Sequence, residues 1–158
     1  MDLKKLLLII GQGFGTGLSP IAPGTAGSFA AAIIFYFFIW DSIATYLGIG
    51  LFLLFILVSF FIGIFLLSQL TDKEKDPKSF VWDEFVGMWI SCVPLTLVDK
   101  DVYLVLLSFL VFRLFDIFKP LGIRSLDNKL GEFYVMIDDV IAGIYSAFLL
   151  ILIMLFIY

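Results

Sequence analysis

Apolar residues along this chain come in long unbroken runs rather than in stripes. Divided at its charges and at glycine and proline breakers, the sequence gives five such runs, roughly 26 to 40, 43 to 70, 81 to 98, 102 to 118 and 135 to 158. None shows the alternation of a strand, and each reads as a helix in hydrocarbon. Ser42 to Thr71 passes thirty residues without a charge, whereas a helix on a soluble domain needs one polar face. The pattern predicts an all-α polytopic membrane bundle of about five transmembrane segments, preceded by a short N-terminal helix and a Gly/Pro-rich loop. One domain, 1–158, suffices for this length. At 1.5 Å per residue the second run reaches about 40 Å and must tilt or project past the bilayer, whereas the first, at about 22 Å, is marginal.

Composition agrees. Of 158 residues, 62% are hydrophobic and 15% charged, and the mean hydropathy is +1.12, outside the balance of soluble domains. A net charge of -4 with no continuous basic stripe argues against a nucleic-acid partner. Cys92 is the only cysteine and histidine is absent, so intramolecular disulfides, Cys-rich metal sites and histidine ligation or nucleophiles are excluded. Lys4 and Lys5 precede an apolar run superficially like a signal peptide. That run is only about seven residues long and no small-residue cleavage site follows, so a mature cytoplasmic N-terminus is expected.

Basic residues set the orientation. Lys4 and Lys5 precede the first run, Lys73, Lys75 and Lys78 separate the second from the third, and Lys119, Arg124 and Lys129 separate the fourth from the fifth. The opposite side has only Lys100. Five spans threaded from a cytoplasmic N-terminus put all three clusters inside and Tyr158 outside.

The same threading gathers acids. Asp83 and Glu84 begin the third run, Asp116 leaves the fourth, and Asp138 and Asp139 enter the fifth, all at one membrane face. A carboxylate placed singly near hydrocarbon costs about 2.5 to 3.5 kcal/mol, so five together call for positive compensation or protonation. Asp83 stands four residues before Gly87, and Asp139 four before Gly143, so each acid has on its own face a glycine at which two helices can approach closely. Adjacent acids lie about 100° apart on a helix, so Asp138 and Asp139 share an ion only at a cap or a crossing. Simple capping is the competing explanation for any single one of Asp83, Asp138 or Asp139. Oxygen ligands without nitrogen or sulfur select Mg²⁺ or a similar hard cation, with Asp83, Glu84, Asp138 and Asp139 as candidate ligands.

Basic partners lie close by. Arg113 and Asp116 share a helix face, as do Asp116 and Lys119, and Pro120 ends the helix so that the chain can fold back. Positive-inside bias accounts for Lys73, Lys75 and Lys78 but poorly for Arg113, which lies within a span. Residues 11 to 28, "GQGFGTGLSPIAPGTAGS", are too rich in glycine and proline for a helix, yet uncharged. Their amides, with the Thr25 and Ser28 hydroxyls at a helix start, are suited to an anion, although a plain helix-helix turn is an equal reading. This is not a dinucleotide fingerprint, because Thr16 occupies the third glycine position. In "TLVDKDVY", Tyr103 replaces the threonine of an aspartate-nucleophile phosphatase motif, and Asp99 and Asp101 fall on the outer face. No Cys-x5-Arg loop exists.

Four ordered motifs, "APGTAGS" (22 to 28), "DPKSFVWDEFVG" (76 to 87), "FRLFDIFKP" (112 to 120) and "DDVIAG" (138 to 143), resemble those of the phosphatidylglycerophosphatase A family across nearly the whole chain. The resemblance implies a Mg²⁺-dependent membrane phosphatase that converts phosphatidylglycerophosphate to phosphatidylglycerol. By position it implies Asp83, Glu84, Asp116, Asp138 and Asp139 as the acidic residues, with Arg113 and Lys119 as basic partners. The chain departs from the pattern at Gly122, where the family has a proline, and at "LGEFYVM" (130 to 136), where a Gly-Gly-x-Gly run is usual.

The expected chemistry is metal-assisted hydrolysis of an anionic phospholipid. Arg113, Lys119 or Arg124 would neutralise the phosphomonoester, and either water attacks directly or Asp116 or Asp139 forms a phosphoaspartate. Acids at one end of the spans would meet a headgroup held at the interface by its acyl chains. The alternative from another class is a small cation transporter or channel subunit, since intramembrane acids also mark ion paths.

Overall fold

The computed structural model describes residues 3–43, 45–70, 79–127 and 129–157. The helices, in order, are α1 (Leu3–Gly11), α2 (Pro23–Ile34), α3 (Tyr46–Leu70), α4 (Trp82–Ser91), α5 (Val102–Phe118), α6 (Ile123–Asp127) and α7 (Glu132–Ile157). No strand occurs among the described residues. Lys73, Lys75 and Lys78, and Tyr158, on which part of the orientation argument rests, lie outside them.

Every apolar run is helical, with shifted ends. α2 starts at Pro23 rather than at 26, because proline lacks the amide hydrogen that a first helical residue leaves unbonded anyway. It continues through a π turn (Phe35–Ile39) and a 3-10 turn (Trp40–Ile43), so the marginal first run becomes a 21-residue helix from Pro23 to Ile43. That helix, Tyr46–Gln69 and Glu132–Phe156 are long and apolar enough to cross a membrane. α5 has 17 residues. α4 has 10, since Pro94 converts the rest of its run into the 3-10 turn Val93–Leu97. The loop ahead of α2 is also ordered: Gly13–Leu18 is a 3-10 turn with left-handed backbone at Phe14 and Gly15.

α4 is the hub. It packs on α2, α3, α5 and α7, and its short, nearly fully buried length is tied to its neighbours by hydrogen bonds as well as by packing. The Trp89 indole donates to the Ala31 carbonyl of α2 at 3.2 Å, and the Trp82 indole donates to the Ser59 carbonyl of α3 at 3.0 Å. Ser91 and Ser108 pair their hydroxyls at 2.8 Å between α4 and α5. In lipid there is little hydrophobic drive between helices, so such bonds and close packing hold the bundle. α3 and the outer faces of α5 and α7 expose large apolar side chains, among them Leu54, Phe61, Leu110 and Phe148, as surfaces solvated by acyl chains do.

Candidate active site

Up-and-down threading brings the starts of α2, α4 and α7 and the end of α5 to one end of the bundle. At the other end Lys100 donates to Asp41 at 2.6 Å, and Asp101 caps α5 by accepting from the Tyr103 amide at 2.8 Å.

Asp83 and Glu84 occupy the first turn of α4, where the helix dipole favours carboxylates. Val81 starts that turn, its amide held by the Gly11 carbonyl at 2.9 Å. Capping does not account for the other acids: Asp138 and Asp139 lie well inside α7, which begins at Glu132. Asp139 belongs to the buried stripe formed by Met136, Gly143, Ser146 and Leu150, the inward face of an amphipathic period. At that level the two backbones touch. A Cβ on Gly87 would stand 2.7 Å from the Asp139 carbonyl oxygen, and one on Gly143 would collide with the Gly87 carbonyl. One carboxylate oxygen each from Asp83, Glu84 and Asp139 therefore lie within 4.8 Å of one another. Asp83 and Asp139 are buried and Glu84 is half-buried.

Asp138 does not join that group. Its carboxylate accepts from Lys119 Nζ, and its Oδ1 accepts from the Asp139 amide at 3.0 Å. Lys119 reaches it from the end of α5, where its backbone turns left-handed (φ 45°, ψ 52°) and its amide bonds the Phe115 carbonyl. The expected shared face of Asp116 and Lys119 thus gives way to a cross-helix pair. Asp116 is also buried; it accepts from Arg113 Nη1 and faces Asp139.

Arg113 links α5 to α2. Its Nη1 donates to Ser28 Oγ at 3.3 Å, and Ser28 Oγ donates to the Gly24 carbonyl at 2.8 Å. The Ser28 hydroxyl, fully buried, holds Arg113 rather than facing an open anion site. Gly24 is needed for space: a Cβ there would overlap Glu84 Oε1 and sit 3.3 Å from Arg113 Nη1. The first α2 bond runs from the Ala26 amide to the Ala22 carbonyl, so the amides of Gly24 and half-buried Thr25 are free of helical pairing beside the carboxylates. Arg124 is exposed on α6. Sequence reasoning missed Gly24, and its proximity to Glu84 leaves no signal beyond the Pro-Gly pair that opens a helix.

Among the described residues, five carboxylates thus gather with the cations Arg113 and Lys119. Glu84 Oε2 is buried with no hydrogen-bond partner among the described residues, an arrangement that costs stability unless something positive meets it. An all-oxygen group of this spacing fits a hard divalent cation such as Mg²⁺.

Residues 9–154 match the family model described as phosphatidylglycerophosphatase A. The phosphatidylglycerophosphatase A of Escherichia coli K12 is 41% identical over 143 residues, 88% of this chain and 78% of its own. That of Haemophilus influenzae is 40% identical over 152 residues, 91% of this chain and 89% of its own. A Bacteroides thetaiotaomicron protein, provisionally named a phosphatidylinositol-3-phosphatase, is 41% identical over 149 residues, 92% of this chain and 91% of its own. No solved structure matches.

Proposed function

Since the chain belongs to the phosphatidylglycerophosphatase A family, we propose that its carboxylate pocket removes the terminal phosphate of phosphatidylglycerophosphate at the cytoplasmic face of a bacterial inner membrane, with Mg²⁺ held by Asp83, Glu84 and Asp139. It is a membrane-associated phosphomonoester hydrolase, and the cation-transport alternative falls with that assignment. The observation that carries the site reading is the convergence of those three carboxylates within 4.8 Å, beside an arginine fixed by Ser28 and Asp116.

Each group has a task in the reaction. Phosphoryl transfer spreads negative charge over the phosphoryl oxygens, so fixed positive groups do most of the work. Arg113, pre-oriented by its two partners, neutralises one of those oxygens, and the amides of Gly24 and Thr25, which precede the first hydrogen bond of α2, donate to another. Lys119, held by Asp138, steadies the headgroup side, and Arg124 on exposed α6 attracts the anionic lipid. When bound, Mg²⁺ supplies further charge neutralisation at the phosphate. Asp139 or Asp116 either takes the proton of an attacking water or attacks phosphorus itself. In both routes the bond from phosphorus to the glyceryl oxygen breaks and that oxygen takes up a proton; in the second, water then hydrolyses the phosphoaspartate, which releases phosphate and restores the carboxylate.

The test is phosphate release by purified protein from phosphatidylglycerophosphate and from phosphatidylinositol 3-phosphate, with Mg²⁺ and with chelator. Mg²⁺-dependent release that favours the first substrate is expected. Release insensitive to chelation removes the cation assignment, and a preference for the inositol lipid removes the headgroup assignment.

A further inference from the structure

Two helix stripes leave the candidate site together. On α2, steps of four residues run Gly24, Ser28, Ala32, Tyr36; on α5 they run Arg113, Phe109, Val105, and residues four apart share a face. The Arg113–Ser28 hydrogen bond joins the stripes at the site. One turn from Arg113 along α5, the Phe109 ring meets edge to face that of Phe29, the neighbour of Ser28, 5.7 Å between centroids. Beyond that pair the helices part around a wholly apolar cavity of about 140 Å³.

Its floor is made of Ala32 and Val105, each 4% exposed, and its walls of Phe29, Ile33, Phe37 and Leu106, which open toward lipid. The π turn at Phe35–Ile39 widens α2 at this level, a feature often found beside functional sites. Its lining runs from Phe29 to Phe37 on α2, about 2 to 14 Å along the helix from Ser28, and from Leu106 to Val102 on α5, about 10 to 16 Å from Arg113. It thus reaches the bilayer midplane, about 15 Å deep, the depth to which a chain anchored at the site extends. Whole small ligands need about 300 Å³ or more, so this space takes part of a chain only.

We infer that the α2–α5 groove is the acyl-chain subsite of the phospholipid substrate, receiving one chain of a lipid whose phosphate is held at Arg113. The inference rests on the function proposed above. Small side chains on the floor with aromatic and branched walls form a slot for a flexible hydrocarbon segment. Its alignment with Arg113 and Ser28 gives a lipid with a terminal phosphate two points of attachment, where a bulk lipid has one. The slot thereby sets the depth of the headgroup and helps select diacyl substrates over free phosphate esters.

The test uses the full chain in vesicles with a diacyl lipid that carries a terminal phosphomonoester and a mid-chain diazirine, beside a neutral-headgroup lipid with the same chains. Photolabelling of residues 29–37 and 102–106 should be several-fold greater with the phosphomonoester lipid, and Ala32→Leu should remove the excess. Labelling that ignores the headgroup or spreads evenly over all faces means bulk lipid only and overturns the inference. Kinetics give a second reading through Ala32→Leu on the floor and Leu106→Trp on the exposed wall. In each, kcat/KM for diacyl substrate relative to the deacylated headgroup phosphate should fall roughly tenfold, the scale set by excluding a few methylenes from an apolar pocket. An unchanged ratio in both variants overturns the inference. A wild-type protein inactive on both substrates defeats the proposed activity instead, and the photolabelling still decides the groove.

Discussion

Lys119 and Asp138 form an ion pair between the residue that caps the end of α5 and the second turn of α7. Asp138 is thereby turned from the three-carboxylate group that its neighbour Asp139 joins. The two adjacent aspartates are expected to fail differently. Asp139→Asn should abolish phosphate release, by at least about 100-fold. Asp138→Asn should cost about 10-fold to 100-fold, as loss of a positioning partner does, and should be non-additive with Lys119→Met. Rates from the four proteins of that cycle are the check; additive losses remove the pair from the site's support.

Glu84 offers a buried oxygen without a hydrogen-bond partner among the described residues. Glu84→Gln should therefore raise the Mg²⁺ concentration for half-maximal activity, and should leave the folded protein at least as resistant to heat, because a buried negative charge is removed. Titrating activity with Mg²⁺ and melting the protein in detergent measure the two effects. Unaltered Mg²⁺ dependence argues that this carboxylate is not a ligand.

Ser28 acts through Arg113. Removing its hydroxyl in Ser28→Ala should lower kcat about tenfold, equivalent to about 1.4 kcal/mol, and should have little further effect in an Arg113→Ala background. Steady-state kinetics of both single variants and the double variant test this. A second full tenfold loss in the double variant would show an independent role for Ser28.

Three glycines should separate stability from activity. Gly87→Val and Gly143→Val push α4 and α7 apart and should destabilise the bundle by about 1 to 3 kcal/mol. Gly24→Ala meets the ends of the Glu84 and Arg113 side chains rather than backbone, so its melting temperature should stay near wild type while phosphate release falls. Equal melting of all four proteins, wild type included, contradicts the close α4–α7 crossing.

Gly122 has a φ of +92°, outside proline's range near -65°. Gly122→Pro should cost more than about 1 kcal/mol here and loosen the α5–α6 turn that presents Lys119. Reduced thermal stability with lowered activity is the expected result; an inert substitution means that this turn readily adopts a proline-compatible geometry.

Much of this was legible in the residues. Unbroken apolar runs forced helices, because backbone groups in lipid must bond within their own segment, and alternating direction then placed Asp83, Glu84, Asp116, Asp138 and Asp139 at one end. The Asp83–Gly87 and Asp139–Gly143 spacings also announced a close crossing. Helix ends were less legible: a proline at the start of α2 and a π turn after it lengthened a run that looked short, since local hydrogen bonding rather than apolar content sets where a helix stops.

The sequence by itself determined which residues could meet, through helix period, membrane threading and the supply of charge. Only the tertiary structure decided which ones did: Lys119 with Asp138 rather than Asp116, Ser28 with Arg113, and Glu84 against Gly24. Such choices depend on rotamers and on sub-ångström helix separations, and these are fixed by packing among segments far apart in the chain. A linear pattern specifies the faces of helices, whereas the partners across them follow from how closely those faces can approach.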